Sequence, residues 1–307
     1  MVLLLIQVGS PLILLATLAF WRAGLIEKTL LALAAIASVV AVALAGLWLT
    51  LPWYTPWVLG ALVLPALWCA MRRRTSDPGR GWSRLAGIAA CGGVAVATVA
   101  LAAAAVRAQQ PPPGPAVALA SPLGQGSYLV VNGGNAALVN AHFETLRPQT
   151  ARQVQFRGQS YGLDIVGLNP LGLAANGWQP RDPARYPIFG KAVLAPCPGR
   201  VVARRDDRAD MPVATVDQEV MPGNHVVLDC GGVHVLLAHL KRGSVAVRTG
   251  QQVKLGQRLG AVGNSGNSDV PHLHIHAQRP GPPRAPFAAE PLPMLIGQRY
   301  LARGDRL

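Results

Sequence analysis

Four long apolar runs occupy the first hundred residues, and they constrain the fold of the chain more than any other feature of its sequence. The runs cover roughly residues 2–20, 29–50, 54–71 and 85–106. A transmembrane helix needs about 20 apolar residues, so each run is a candidate membrane span. The third run is the shortest and contains Pro56 and Pro65, while Trp53, Tyr54 and Trp57 suit the aromatic belt of a membrane interface. The sequence predicts an N-terminal α-helical membrane domain with four spans over residues 1–106.

Positive charges on the loops predict how these spans are oriented. The first loop holds Arg22 and Lys28, the third loop holds five arginines, and the second loop has no Lys or Arg. The five arginines are Arg72, Arg73, Arg74, Arg80 and Arg84. Because basic loops stay in the cytoplasm, both the N-terminus and the chain after about residue 107 are predicted to lie outside. A secretory signal is the alternative for the first run, which has neither a basic start nor a convincing cleavage site.

A composition change after residue 106 separates the membrane region from a second domain. Residues 107–122 are interpreted as a Pro-rich linker, because a proline run cannot continue a helix and favours extended conformations. Residues 123–307 follow as an extracytoplasmic domain that is long enough to bury a full core. From about residue 188, short Val- and Leu-rich runs alternate with Gly, Pro and Asn turns, which predicts a mainly antiparallel β architecture.

The four cysteines divide between the two parts of the chain. Cys69 and Cys91 lie inside predicted spans and are interpreted as small apolar residues. Cys197 and Cys230 lie in the predicted extracytoplasmic domain, each beside a Gly or Pro turn. Since thiols in an oxidising compartment are usually paired, we expect a disulfide between Cys197 and Cys230.

All seven histidines lie after residue 107, and three of them alternate in "PHLHIHAQ", residues 271–278. Side chains at every second position of a strand project to one face, so His272, His274 and His276 are predicted to share a site. A catalytic zinc needs about three protein ligands and an open position for water. Asp164 in "SYGLDIVG" and His239 in "LLAHL" supply further groups suited to such a site.

Several segments between about residues 159 and 280 carry a family pattern. They are "YGLDIVG", "APCPGRVV", "GNHVVLDCGGVHVLLAHL" and "VRTGQQVKLGQRLGAVGNSGNSDVPHLHIH". In this order and spacing they resemble the lysostaphin-type (LytM-like) zinc endopeptidases, which cut peptide cross-links in bacterial cell walls. The resemblance implies a peptidase domain of LytM type with one Zn²⁺ per chain. It implies Asp164 and His274 as zinc ligands and His239 and His272 as catalytic histidines. His276 has no counterpart in the family and either supports the site from behind or is a polar residue at the groove edge.

One position departs from the family pattern. The family has a zinc-binding His four residues before the Asp, whereas this chain has Ser160, and a Ser hydroxyl is a poor zinc ligand. His142, in "LVNAHFE", is the preferred replacement because it lies in a non-linker segment before Asp164 and has no other assigned role. The alternative for His142 is an ordinary surface-loop histidine. His276 is a second candidate, and a degenerate site without catalysis is the third interpretation.

Charge gives weaker indications of partners. The chain has a formal net charge of +14, and the part after residue 106 has 21 Lys and Arg against 12 Asp and Glu. Such a field attracts anionic wall polymers or lipid headgroups, although scattered arginines are also typical of a solvated surface. The sequence lacks the interleaving of aromatic and basic residues that would indicate a nucleic-acid partner. His225 and His234 flank the "DCGG" turn and are expected to have structural or solvated roles.

The combined prediction is a membrane-anchored zinc endopeptidase of the bacterial inner (cytoplasmic) membrane, with its C-terminal domain in the periplasm or outside. The resemblance implies peptidoglycan stem-peptide cross-links as substrate. The alternative is a non-catalytic LytM-like binding or regulatory module that activates another cell-wall hydrolase. Because the spans carry almost no charge, we expect them to anchor the domain or dock a partner in the membrane or in cell-wall synthesis, and one unrelated span should replace them.

Reporter fusions test the predicted topology. Fusions after about residue 52 and after residue 110 should both report outside, and a fusion at about residue 78 should report inside, because the arginines there are costly to translocate. An inside signal at residue 110 would place the second domain in the cytoplasm, away from any wall substrate.

Overall fold

The computed structural model describes residues 2–73, 82–282 and 285–307 of the chain. Two compact units are present. The helical unit comprises Met1–Gly46 and Tyr54–Arg107, and the β-rich unit comprises Leu47–Trp53 and Ala108–Leu307. The short segment between residues 47 and 53 therefore belongs with the C-terminal part of the chain, although it lies between two helices in the sequence.

Five helices form the described part of the helical unit. They are α1 (Val2–Phe20), α2 (Leu25–Ala45), α3 (Thr55–Ala61), α4 (Val63–Arg72) and α5 (Trp82–Ala108). Apolar side chains of α1, α2 and α4, including Leu18, Leu31 and Ala66, pack together in its core. Two of the arginines used to predict orientation, Arg74 and Arg80, lie outside the described residues.

The helices agree with the predicted apolar runs only in part. Three helical segments are long and apolar enough to cross a membrane, namely Leu25–Ala45, Thr55–Arg72 and Trp82–Ala108. Leu5–Phe20 is a shorter apolar helix, so four spans stay a prediction. The segment Thr55–Arg72, which corresponds to the third predicted run, divides into α3 and α4 close to Pro65. Proline has no N–H, so it interrupts helical hydrogen bonding. The second predicted run continued to residue 50, but α2 ends at Ala45 because Gly46 has an extended backbone.

Thirteen strands are assigned in the described part of the β-rich unit. They are β1 (Val117–Leu119), β2 (Tyr128–Asn132), β3 (Leu163–Gly167), β4 (Ala192–Leu194), β5 (Gly199–Arg205), β6 (Asn224–Asp229), β7 (His234–Leu240), β8 (Gln252–Val253), β9 (Arg258–Ala261), β10 (Leu273–Gln278), β11 (Pro291–Leu292), β12 (Met294–Ile296) and β13 (Arg299–Tyr300). β1 lies within the segment predicted to be a linker and pairs in parallel with β12.

The main sheet has the strand order β2-β3-β10-β7-β6-β5-β8, and β11 also pairs with β10. Every pairing in this sheet is antiparallel. A smaller antiparallel pair joins β4 to β9, and β12 pairs antiparallel with β13. The predicted mainly antiparallel architecture is therefore confirmed.

The alternation of side chains along β10 separates the core from the opposite face of the sheet. Leu273, Ile275 and Ala277 are buried in the main apolar core. His274 and His276 occupy the intervening positions, so they project from the other face. In the strand register, His274 stands opposite Asp164 of β3. The sheet thus brings a carboxylate and the alternating histidines together.

A disulfide joins Cys197, which precedes β5, to Cys230, which follows β6. The predicted pairing is therefore present. Cys69 and Cys91 are free. Because β5 and β6 are neighbours in the main sheet, the disulfide ties the ends of two paired strands.

Removing this disulfide should destabilise the β-rich unit. Replacing both Cys197 and Cys230 by Ser should lower its free energy of unfolding by about 2–4 kcal/mol, because the cross-link restricts the unfolded chain. The change in unfolding free energy is measured by urea unfolding of the full chain in detergent, monitored by near-UV circular dichroism. Cys69→Ser is the matched control and should leave the transition of this unit unchanged. Alkylation of four thiols in the unreduced parent protein would show that the disulfide does not form.

Candidate metal and catalytic site

A carboxylate and two histidines form a compact cluster above the main sheet. His274 Nδ1 lies 2.9 Å from Asp164 Oδ1, and His142 Nε2 lies 3.0 Å from Asp164 Oδ2. One ligand atom from each of these residues lies within 4.8 Å of the others. Two imidazole nitrogens and a carboxylate oxygen are donors that zinc accepts in catalytic sites. The chemistry of the cluster therefore fits a metal ion with three protein ligands.

A capped 3₁₀ helix, Ala141–Leu146, carries His142 into this cluster. The side chain of Asn140 accepts a hydrogen bond from the His142 N–H at 3.1 Å, as is common for Asn at a helix N-cap. Its amide donates to the carbonyls of Gly134 and Gly162, both at 3.2 Å. Since Asn140 is fully buried and Gly162 directly precedes β3, these bonds hold the helix beside the strand that carries Asp164.

Ser160, at the position where the family has a ligand, takes part in a different interaction. Its side chain is fully buried. Its hydroxyl lies 2.8 Å from Thr145 Oγ1 and donates to the carbonyl of Arg157 at 2.6 Å. Thr145 belongs to the same 3₁₀ helix as His142. Ser160 therefore packs against the element that supplies His142.

Two further histidines lie beside the cluster with their rings held by backbone carbonyls. His239 Nδ1 lies 2.9 Å from the carbonyl of Ser265, and His272 Nδ1 lies 2.8 Å from that of Val270. Because a carbonyl only accepts hydrogen bonds, Nδ1 carries the proton and Nε2 is the second functional nitrogen of each ring. The ring centroids of His239 and His272 are 4.7 Å apart. His239 has φ of 60°, a left-handed conformation that is uncommon outside glycine and typical of functional sites.

Electrostatic interactions set the charges in the cluster. Burial raises the pKa of Asp164, but His142 and His272 outweigh it and hold this pKa well below its usual range. Burial lowers the pKa of His239 well below its usual value and that of His274 to about 4. Burial also lowers the pKa of His272, but Asp164 raises it more, so the net shift is upward. An ionised carboxylate and a neutral His274 are the states in which both groups bind a metal.

His276 lies behind His274 on the same strand face. Its Nδ1 is 2.9 Å from His274 Nε2. Its own Nε2 is buried and has no hydrogen-bond partner among the described residues. Burial, followed by His274 and His142, lowers the pKa of His276 well below its usual value, so its ring is neutral.

Asn132 and Arg303 belong to the site although no sequence pattern identified them. Asn132 Nδ2 donates to Asp164 Oδ2 at 2.9 Å. Arg303 donates from Nη2 to Asn132 Oδ1 at 3.0 Å and from Nε to the carbonyl of Val131 at 2.8 Å. Burial lowers the pKa of Arg303 to about 10, which leaves it charged at neutral pH. The only available signal was the polar Asn132 at the end of the apolar run "YLVVN".

A cavity of about 510 Å³ contains most of these groups. Its lining includes His142, Asp164, His239, His272, His274 and His276, together with Arg303, Leu47 and Leu49. His225 and His234 do not line it and instead border a neighbouring cavity of about 370 Å³ with Phe287. His225 Nδ1 lies 2.8 Å from the carbonyl of Gly223, which accounts for one of its nitrogens. The structure thus gathers all the site residues that the sequence nominated, including His142.

Comparisons with solved structures give several partial likenesses. A mutant catalytic domain of the prophage-encoded M23 protein EnpA from Enterococcus faecalis is 21% identical over 40% of this chain and 69% of its own, with a TM-score of 0.27. A zinc containing peptidase from Vibrio cholerae is 22% identical over 39% of this chain and 28% of its own, with a TM-score of 0.25. The antimicrobial peptidase lysostaphin from Staphylococcus simulans is 21% identical over 41% of this chain and 40% of its own, with a TM-score of 0.27.

These likenesses are too distant to carry a functional argument, and the chain spans less than half the length of the Vibrio and Staphylococcus proteins. None of the curated proteins matches the chain. The sequence of residues 185–286, however, matches the model of peptidase family M23. That range includes His239, His272 and His274, whereas His142 and Asp164 precede it. Residues 185–286 of this chain are therefore similar to peptidase family M23, and this range overlaps the segments that resemble the LytM-like enzymes.

Proposed function

We propose that this protein is a membrane-anchored zinc endopeptidase that hydrolyses peptide bonds, with peptidoglycan stem-peptide cross-links as its substrate. The observation that carries the proposal is the position of His142 beside Asp164 and His274. Without His142, the two remaining groups would give a zinc ion fewer protein ligands than a catalytic site requires. With it, the donor set is complete even though Ser160 replaces the usual histidine.

In this proposal, His142 Nε2, Asp164 and His274 Nδ1 would hold one zinc per chain. Bound there, zinc would act as a Lewis acid toward the scissile carbonyl and would lower the pKa of a water molecule. Asn132 and Arg303 hold the carboxylate in place, because the amide of Asn132 donates to Asp164 and is itself fixed by the guanidinium. Their role is to position a ligand rather than to touch the substrate.

His239 and His272 act on the substrate itself. Nδ1 of each ring is occupied by a backbone carbonyl, which leaves Nε2 for the substrate, and Nε2 of His272 also lies 3.4 Å from Asp164 Oδ1. His239 is neutral, since burial lowers its pKa, and it accepts and returns a proton during hydrolysis. His272, whose pKa is raised beside Asp164, donates a hydrogen bond to the negative charge that develops on the carbonyl oxygen. The two roles require neighbouring rings, as the centroid distance of 4.7 Å provides.

His276 supports His274 from behind. A metal on His274 Nδ1 requires the proton of that ring to be on Nε2, where it donates to His276 Nδ1 at 2.9 Å. Such an outer hydrogen bond fixes the tautomer and orientation of a ligand histidine. His276 is therefore assigned as a positioning residue and not as a metal ligand.

The proposed location is the bacterial inner membrane, with the β-rich unit in the periplasm or outside. Three helical segments have the length and composition of membrane spans. The excess of Lys and Arg after residue 106 would draw the enzyme to anionic wall polymers. Peptidoglycan as substrate follows from the family resemblance alone.

A metal-free regulatory module is the second candidate, and the observation that favours it is Ser160 in place of the family histidine. A groove that only binds peptides gains nothing from burying a carboxylate among four imidazoles, because buried polar groups are costly unless their hydrogen bonds are satisfied.

Metal analysis tests the enzyme directly. Full-length protein purified in detergent without chelators should contain about one zinc per chain and hydrolyse wall peptides, and chelation should abolish both until zinc is restored. Elemental analysis and mass spectrometry of the released peptides give the two readouts. Less than about one tenth of a zinc per chain, with no hydrolysis after zinc is added, would exclude the enzyme and leave the regulatory module.

Single substitutions should separate ligands from catalytic residues. His142→Ala should lose zinc as severely as His274→Ala, because each removes one of three ligands. His239→Ala and His272→Ala should keep the metal while the hydrolysis rate falls by about 10²–10⁴-fold. His276→Ala should weaken zinc affinity by about 10–100-fold, as expected when an outer partner of a ligand is removed.

The matched control is His234→Ala, which changes a histidine of the same strand as His239 that lies outside the cavity. It should alter neither zinc content nor hydrolysis. If His142→Ala retains zinc and activity like the parent, His142 is not a ligand and His276 becomes the residue to test.

A further inference from the structure

The loop between α2 and α3 packs as part of the β-rich unit. Its residues, Leu47–Trp53, belong to the same compact unit as Ala108–Leu307. The Trp53 N–H donates to the carbonyl of Gly172 at 3.0 Å, and the guanidinium of Arg306 lies 4.2 Å from the centroid of the Trp53 ring. A guanidinium over an aromatic ring is attracted by the negative face of that ring. These two interactions fix the C-terminal end of the loop on the β-rich unit.

Two leucines of this loop line the cavity that holds the catalytic groups. Leu47 and Leu49 are both half-buried and border the same space as the histidine and Asp164 cluster. Leu49 also lines a second cavity of about 720 Å³. Asp269 and Val270, which lie just before the catalytic His272, line both cavities as well. Leu49 and these two residues therefore form the boundary between the two spaces.

The second cavity has the lining of a site for an uncharged group. Apolar and aromatic side chains predominate, including Tyr186, Val213 and Trp178, the last of which is 66% exposed. Arg181 and Asp269 are its only charged lining residues in the described part of the chain. A concave site with mainly apolar walls and few polar groups is the usual form of a ligand pocket.

We propose that Leu47–Trp53 forms a substrate-selecting wall of the peptidase site, with Leu49 as its specificity-determining residue. The inference rests on the proposed endopeptidase function. An extended peptide whose scissile bond lies at the cluster of His142, Asp164 and His274 passes Leu49. The peptide residues on one side of that bond then enter the second cavity. The cavity selects an apolar side chain at this position, because an acidic side chain would lose hydration against apolar walls.

This role changes the expectation for the helical region. A single unrelated span would anchor the β-rich unit, but it would not supply Leu47 and Leu49, because these residues lie between α2 and α3. Substrate selection therefore depends on the loop that connects α2 to α3.

Cleavage of paired synthetic peptides by the full-length zinc-loaded protein in detergent tests the wall. The two peptides of each pair share a stem-peptide sequence and carry either Leu or Glu at one residue beside the cleaved bond, and the pairs cover both sides of that bond. Leu49→Ala should lower the Leu to Glu ratio of kcat/KM by at least about tenfold on one side, since a hydrophobic contact discriminates by about that factor. Leu49→Met, which conserves volume, should stay within about twofold of the parent.

The matched control is Leu255→Ala, which changes a leucine that is 57% exposed and lines neither cavity. It should leave the ratio unchanged. Trp178→Ala should lower the same ratio, and its effect should not add to that of Leu49→Ala, because both residues border one cavity. Metal content, measured for every variant, should stay at the parental value because none of these residues is a proposed ligand.

Binding of the same peptides to His239→Ala protein, by isothermal titration calorimetry, separates this inference from the proposed function. If the parent cleaves no peptide but Leu49→Ala shifts the binding preference, the wall stands and the endopeptidase fails. If the parent cleaves and Leu49→Ala keeps the parental ratio within about twofold in both assays, the wall is overturned and the endopeptidase stands. If the parent neither cleaves nor binds any peptide, both are overturned.

Discussion

The buried carboxylate of Asp164 is the interaction on which the site depends. A buried charge is stable only when several partners satisfy it, and its oxygens meet His142, His274 and Asn132 at 2.9 to 3.0 Å. The register of β3 against β10 supplies His274, because it sets the two residues opposite each other. The end of β2 supplies Asn132, and Arg303 near the C-terminus holds that amide. Segments that are far apart in the chain are thus ordered around one carboxylate.

In the proposed zinc site, His142 takes the ligand role that the family has at position 160, which would explain how the site tolerates Ser160. A histidine at position 160 would occupy the fully buried space where the hydroxyl now meets Thr145. The small side chain lets the 3₁₀ helix Ala141–Leu146 pack at this place, and that helix brings His142 to the carboxylate. In the proposed site, the absence of a ligand at position 160 and the presence of one at position 142 are therefore linked through a packing contact. Because an imidazole at position 160 would overpack the helix, we expect a histidine at position 142 or at position 160, but not at both.

Local patterns in the sequence predicted which strand residues share a face. Alternation along β10 placed His274 and His276 on one face, since strand side chains have a period of two. His142 was nominated because a catalytic zinc needs a third ligand, and the structure brings it to Asp164. Asn132 and Arg303 could not be found in this way, because their relation to Asp164 exists only after distant segments pack. The end of α2 was misplaced for a different reason, since the apolar run continues through Leu47 and Leu49 although the helix does not.

Those two leucines show why hydropathy alone misassigned the segment. Apolar side chains are needed in a membrane span and in the wall of a protein cavity, so composition cannot distinguish the two uses. The extended backbone of Gly46 distinguishes the two uses here, because it ends α2. The residues that follow Gly46 belong to the β-rich unit. A loop whose two ends continue into helices has less conformational freedom than a free terminus. Less ordering is then needed when a peptide binds, so a wall formed from such a loop is preorganised for selecting its substrate.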